Sequence, residues 1–166
     1  MNSRNKLKGL EKGASPLNLT YWSTTPFKLG DENVQYLVIA NRDNSMASKP
    51  NKDNPNFLRS AMVEQLKSQD ATFDFSVLLP QNPEEFPIND ATENWDIRPK
   101  SKSIVVATLQ IPKQNFDSLM RRELDEELSF TPWHALPEHR PIGEMNLARK
   151  EIYQELSKFR HELNNN

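Results

Sequence analysis

The last stretch of the chain, Gly143–Glu162 (GEMNLARKEIYQELSKFRHE), limits what everything before it can be. Met145, Ala148, Ile152, Leu156, Phe159 and Leu163 recur at steps of three and four, which on an α-helix forms one apolar stripe. A helix of this kind buries its stripe against another element, so the fold must offer it a surface. Arg149, Tyr153 and Arg160 form a second stripe. At about 100° per residue they fall within roughly 40° of one another, beside the apolar face rather than opposite it. A tyrosine flanked by two arginines at such an edge has two readings. One is a set of side chains snorkelling from an amphipathic surface helix; the other is an iron-binding phenolate with its electrostatic support. Spacing alone favours the surface helix.

The elements before it can be read in order. Met1–Ala14 is basic, polar and aperiodic, and is expected to be a flexible tail. Ser15–Leu29 carries Tyr21, Trp22 and Phe27 along with two prolines, the pattern of an irregular segment docked by its aromatics. Asn33–Asn41 (NVQYLVIAN) reads as a strand and Arg42–Asn56 as an exposed loop. Phe57–Lys67 places Leu58, Ala61, Met62 and Leu66 at helical spacing, with Asn56 or Asn54 as the cap. Ala71–Leu79 alternates through Phe73, Phe75 and Val77, the period of a half-buried strand, and Pro80 ends it. Gln81–Lys102 is a proline-punctuated connection carrying Trp95. Ser103–Ile111 (SIVVATLQI) is the strongest strand, closed by Pro112. Phe116–Leu128 reads as a charged helix with Leu119, Met120, Leu124 and Leu128 inward and its Asp-Glu-Glu run solvated. Ser129–Pro141, with three prolines, is a loop leading into the last helix. Three strands, with helices that follow rather than alternate with them, predict an α+β fold with an antiparallel sheet whose edges need covering.

Composition narrows the function. The chain has 166 residues, the size of one domain, and a net charge of −2, so it offers neither a basic footprint for nucleic acid nor a polybasic membrane patch. It has no cysteine, which removes disulfides, iron–sulfur ligation and thiol catalysis. Without an apolar run of membrane length or a secretory h-region, it is expected to be soluble and cytoplasmic. Twelve prolines against four glycines and 36% apolar residues describe a loop-rich chain with a modest core. There is no P-loop, GxGxxG, GxSxG or HExxH. His134, His139 and His161 have no ligand spacing, and Asp125, Glu126 and Glu127 are adjacent and diverge. Nucleophilic, phosphate-cradling and non-haem metal chemistry find no support.

What stays is Arg149-x-x-x-Tyr153. A free phenol titrates near pKa 10, so tyrosine binds ferric iron at neutral pH only where its phenolate is stabilised. An arginine one turn earlier can donate to the phenolic oxygen while keeping its own charge. An arginine two turns later can reach a carboxylate at the edge of a flat cofactor.

From roughly Thr72 onward, and most closely over Phe116–Arg160, the chain resembles the proximal haem segment of catalases, in particular the short catalase-related haem proteins. In that family an acidic-to-Trp segment precedes a strand of the form VxxLxL; here NDATENWD runs into IVVATLQI. A short helix then leads through a F-x-P loop and a further proline to the haem helix; here the run is LSFTPWHALPEHRPIGEMNLARKEIY. SPLNLTYWSTTPFKLGD resembles the short catalase-related proteins only. Together the order, the loop and the R-x-x-x-Y spacing are specific; singly they are not.

The resemblance implies part of a catalase-like fold: antiparallel strands of an incomplete β-barrel, then helices, joined by proline-rich connections. Residues 15–166 would be the C-terminal portion of such a domain. It implies haem b, with Tyr153 as the axial iron ligand, Arg149 supporting it, Arg160 pairing a propionate and Met145 packing on the porphyrin. The implied activity is decomposition of hydrogen peroxide or an organic hydroperoxide, of the kind used against oxidative stress. There are two departures. No segment resembles the distal half that carries the family's histidine and asparagine, so no catalytic residue is assigned in this chain. Ser157 also stands where the family's helix often has histidine. A peroxide-cleaving site needs a distal base, so the chain is expected to be inactive until a separate N-terminal half or another subunit completes it. Two alternatives are a haem-free catalase-like remnant acting as an interaction subunit, and an enzyme converting fatty-acid hydroperoxides.

Overall fold

The computed structural model describes residues 15–44, 53–82, 86–90 and 101–164. The expected flexible tail, most of the loop after Asn44 and the Trp95 segment lie outside the described residues.

Five strands form one open, antiparallel sheet: β1 (Tyr21–Trp22), β2 (Phe27–Leu29), β3 (Glu32–Ala40), β4 (Ala71–Pro80) and β5 (Ser101–Ile111). Among the described residues three α-helices accompany them: α1 (Phe57–Ser68), α2 (Leu119–Glu127) and α3 (Glu144–Asn164). The three strands expected from periodicity are β3, β4 and β5. The other two are corrections to the count. Strands of two and three residues are too short to show an alternation. The strand order is β1-β3-β4-β5, with β2 paired to β3 off this path. Tyr21 faces Val38 and Trp22 faces Leu37, while Phe27 faces Val34 and Leu29 faces Glu32. Between Leu29 and Glu32 the chain reverses in two residues, and Gly30 takes φ +61, a conformation costly for any residue with a Cβ.

By contacts the chain divides into two compact units. The first holds the residues up to Trp22 with Leu37–Ser76 and Val105–Asp117; the second holds Ser23–Tyr36, Val77–Ile104 and Ser118–Asn166.

The first unit has an ordinary core. Leu17, Leu66, Ala71 and Phe73 are buried together, with Val38, Ala40, Met62, Ile111 and Phe116 packed around them. α1 turns its apolar stripe inward as its periodicity predicts, with Ala61 and Leu66 buried and Leu58 and Met62 partly so. Asn56 sits at its N-cap without a side-chain bond. Asn54 does the tying instead, its Oδ1 accepting from the Asn56 amide at 2.9 Å and its Nδ2 donating to Ser60 Oγ at 3.0 Å. Buried Asn44 staples this unit. Its Nδ2 donates to the carbonyls of Leu17 and Thr72, both at 2.8 Å, and its Oδ1 accepts from the Thr72 amide at 2.8 Å.

The second unit is built differently. Val34, Val77, Leu78 and Phe86 are buried in it, and β2 is stitched to the segment ahead of α3 through main-chain bonds. The Lys28 amide donates to Arg140 O at 2.9 Å, the Gly30 amide to Glu138 O at 3.0 Å, and the Ile142 amide to Pro26 O at 3.2 Å. α2 begins later than its composition implies. The Oγ of Ser118 accepts from the Arg121 amide at 3.3 Å and caps it, leaving Phe116 and Asp117 outside. Its apolar residues do not point inward: no residue of α2 is buried, and Leu119 is 73% exposed. Among the described residues no helix is long and apolar enough to cross a membrane.

Candidate functional site

α3 is the helix the periodicity predicts, but its orientation is the reverse of the expected one. Met145, Ala148, Ile152, Leu156, Phe159 and Leu163 are all exposed, Phe159 to 59%. Asn146 is the one buried residue of the helix, at 0% exposure, and Arg149, Lys150, Ser157, Arg160 and His161 are partly covered. Polar contacts hold the helix by this other face. Trp133 Nε1 donates to the carbonyl of Asn146 at 2.8 Å, Asn164 Nδ2 donates to Glu126 Oε2 at 2.9 Å, and Arg160 Nη2 donates to the carbonyl of Leu128. Leu128 is the C-cap of α2, so a cation there also suits the negative end of that helix. The start of α3 is fixed by Gly143 at φ +89. A Cβ there would lie 2.9 Å from Ile88 Cγ2 and 3.0 Å from Ile88 O.

The Arg/Tyr stripe lies where the covered and bare faces meet. Arg149 Nη2 donates to the Tyr153 hydroxyl at 3.4 Å, and the guanidinium carbon stands 5.4 Å from the centre of its ring. Tyr153 is 37% exposed. Together with Arg160 it lines a cleft of about 220 Å³ whose other walls are Ser129, Phe130, Leu156 and Ser157. The structure therefore brings Arg149 to Tyr153 and Tyr153 to Arg160. Met145 lies two turns earlier on the bare face, half exposed, and lines neither this cleft nor the groove beside it. The Nε of Arg160 is buried and, among the described residues, has no hydrogen-bond partner.

A groove of about 610 Å³ shares Ser129, Phe130, Tyr153 and Ser157 with this cleft and is lined also by Trp133, His134, Lys150, Lys158 and His161. Two histidines distant in the chain thus line the same groove. The Lys150 ammonium sits 5.0 Å above the Trp133 ring. Lys158 is held above its ordinary range chiefly by its hydrogen bond to Glu155 at 2.6 Å.

Two residues of this site escape sequence reading. Thr25 Oγ1 donates to Asn146 Oδ1 at 2.9 Å, and both oxygens accept from Arg149 Nη1, at 3.1 and 3.3 Å. Their separation of 121 positions leaves no periodic signal, and neither residue type is unusual where it stands.

Among solved structures the chain resembles a fungal catalase at a TM-score of 0.68, with 17% identity over 89% of this chain. It spans about a third of that catalase, 32% of its length. No protein-family model matches, and no curated protein sequence does. At this identity the likeness shows a catalase-like fold.

Proposed function

We propose that α3 is the proximal wall of a haem site in a catalase-related oxidoreductase acting on hydrogen peroxide or an organic hydroperoxide. The observation that carries this reading is the Arg149–Tyr153 pair, donor to phenol, on the partly open edge of a helix in a catalase-like fold.

The residues present fit a ferric porphyrin. Tyr153 offers a phenolic oxygen that already faces a guanidinium. At 3.4 Å the contact is long for a neutral phenol; a phenolate would draw it in, because charge-assisted N–H···O bonds run about 2.7–2.9 Å. Arg160 has an unmet Nε donor next to the same cleft, suited to a carboxylate at a porphyrin edge. The bare stripe of Met145, Ile152 and Leu156 would give a flat apolar ring a wall to cover. The cleft itself is smaller than the ~300–1,000 Å³ of ordinary ligand pockets, so α3 would supply one side of the site and not its enclosure. Bound there, ferric haem would supply the redox centre for cleaving a peroxide O–O bond, and the Tyr153 oxygen would hold its iron.

The chain's own part is to bind, orient and charge-balance. Proton transfer from peroxide needs a base within hydrogen-bond reach of it. His134 and His161 line the groove on the polar face, and His139 lies in the 3-10 turn Pro137–His139 ahead of α3. A distal base would therefore come from a separate N-terminal half or another subunit, and the chain alone would not turn over peroxide.

Titration of the full chain with ferric protoporphyrin IX tests the proposal. The expected result is a saturable, one-to-one Soret shift that Tyr153→Phe abolishes or strongly displaces. A spectrum unchanged from free haem, or a Tyr153→Phe titration that superimposes on the parent, overturns it.

A further inference from the structure

We infer that Thr25, seated on Asn146, is a positioning residue that locks the Arg149 guanidinium in the orientation presented to Tyr153. This rests on the haem reading for its use, but not for its geometry.

The geometry is determined from the inside out. Asn146 has no ambiguity of amide orientation. Its Nδ2 points at two carbonyls, Ile142 O at 2.8 Å and Pro26 O at 3.0 Å, which only accept. Its Oδ1 must therefore face Thr25 and Arg149. Thr25 is 3% exposed, and its hydroxyl has two acceptors, Asn146 Oδ1 at 2.9 Å and Ser23 O at 3.3 Å; the shorter contact takes the proton, which leaves a Thr25 lone pair for Arg149 Nη1 at 3.1 Å. The preceding residue, Thr24, holds φ +64, an uncommon conformation for a β-branched residue. Such backbone persists only where the surroundings determine it, and here it precedes the residue that reaches Asn146.

An arginine and a tyrosine four apart on a free helix attract each other only weakly, by roughly 0.2–0.5 kcal/mol, and a solvated guanidinium samples many rotamers. Two acceptors on Nη1 remove that freedom, and the planar fork then aims Nη2 without further ordering. The anchors are also neutral. Among the described residues Arg149 makes no ion pair with a carboxylate. A carboxylate would hold the guanidinium equally well but offset its charge; a hydroxyl and an amide orient it and leave the charge to act on the phenolic oxygen.

The test uses the full chain and the variants Thr25→Val, which keeps the shape and removes the hydroxyl, and Thr25→Ser, which restores it. In the haem-free protein, nitrogen-15 NMR of the Arg149 side chain, assigned by its loss in Arg149→Lys, should show separate, slowly exchanging Nη groups. They should merge in Thr25→Val and separate again in Thr25→Ser. An averaged Nη signal in the parent protein overturns the inference even if the valine variant fails to fold. So does a folded Thr25→Val with the parent's Nη spectrum. With ferric protoporphyrin IX added, Thr25→Val should weaken binding by roughly 10- to 100-fold, the range for removing a group that orients a metal ligand's partner. It should also shift the tyrosinate resonance Raman bands, with serine restoring both. Separate Nη signals in a protein that never binds haem would uphold the lock while sinking the haem proposal. Haem binding that needs Tyr153 but is indifferent to Thr25 would do the opposite.

Discussion

α1 and α3 carry the same kind of sequence and do opposite things with it. Each has apolar residues at steps of three and four. α1 buries Ala61 and Leu66 and turns its charges to solvent. α3 covers Asn146 and leaves Met145, Ile152, Leu156, Phe159 and Leu163 bare. The difference lies in what each helix meets. α1 packs in the unit where Leu17, Ala71 and Phe73 form a core, so burying its stripe removes apolar surface from water at about 25 cal/mol per Å². α3 is fastened through hydrogen bonds to Trp133, Thr25, Leu128 and Glu126 on its polar side. A bare apolar stripe accords with the proposed role of this helix as one wall of a ligand site.

The contrast breaks most visibly under truncation. Leu66→Ala should cost about 2–5 kcal/mol in urea unfolding of the chain, because it removes a buried side chain and leaves a cavity. Phe159→Ala on α3 should stay within about 0.5 kcal/mol, although it deletes more atoms. Equal losses at the two sites would mean that α3's stripe is buried in solution.

Single fixing points in each unit come next. Asn44→Ala in the first unit leaves the Thr72 amide and two carbonyls without their side-chain partner, and should cost roughly 2–3 kcal/mol by the same measurement. For α3 the corresponding change is Gly143→Ala. It combines a left-handed φ with contacts of 2.9 and 3.0 Å to Ile88, and should cost about 1–3 kcal/mol with a lowered melting temperature. If alanine is tolerated there, the start of α3 is not fixed as described.

The smallest expected effect is common to both units. Burial pushes the Tyr21 phenol in the first unit and the Tyr36 phenol in the second above their ordinary value of 10.0. A raised folded value means that the unfolded chain loses its proton first. The stability these groups hold is therefore fully present below pH 10 and is lost as pH rises from there through the folded values. Melting temperatures measured from pH 8 to 11 should be flat and then fall. A rise above pH 10 would contradict the assignment.

Much of this was legible in the sequence, and the rest failed for identifiable reasons. The three long strands and α1 follow from alternation and helical spacing, and their observed bounds lie within two residues of those expected. Periodicity also finds α3, yet it reports only that a stripe exists, not what covers it. For that reason Leu119, Met120, Leu124 and Leu128 of the α2 segment were expected inward as well, and the structure turns them out. The pairing of Arg149 with Tyr153 was readable because four residues are one helical turn. Thr25 and Asn146 were not, because their contact is made by the fold alone. Asn44 reads as a loop residue for the same reason, although it is among the most deeply buried polar groups in the chain.

The central claim is that the bare face of α3 beside Tyr153 is where a haem lies. Ferric haem is paramagnetic and broadens nearby proton signals, so methyl NMR of the chain with and without one equivalent of ferric protoporphyrin IX tests the claim most directly. With haem on this face, the methyls of Met145, Ile152 and Leu156 broaden in the parent protein and stay sharp in Tyr153→Phe. Broadening that spares α3, or that persists unchanged in Tyr153→Phe, would contradict it.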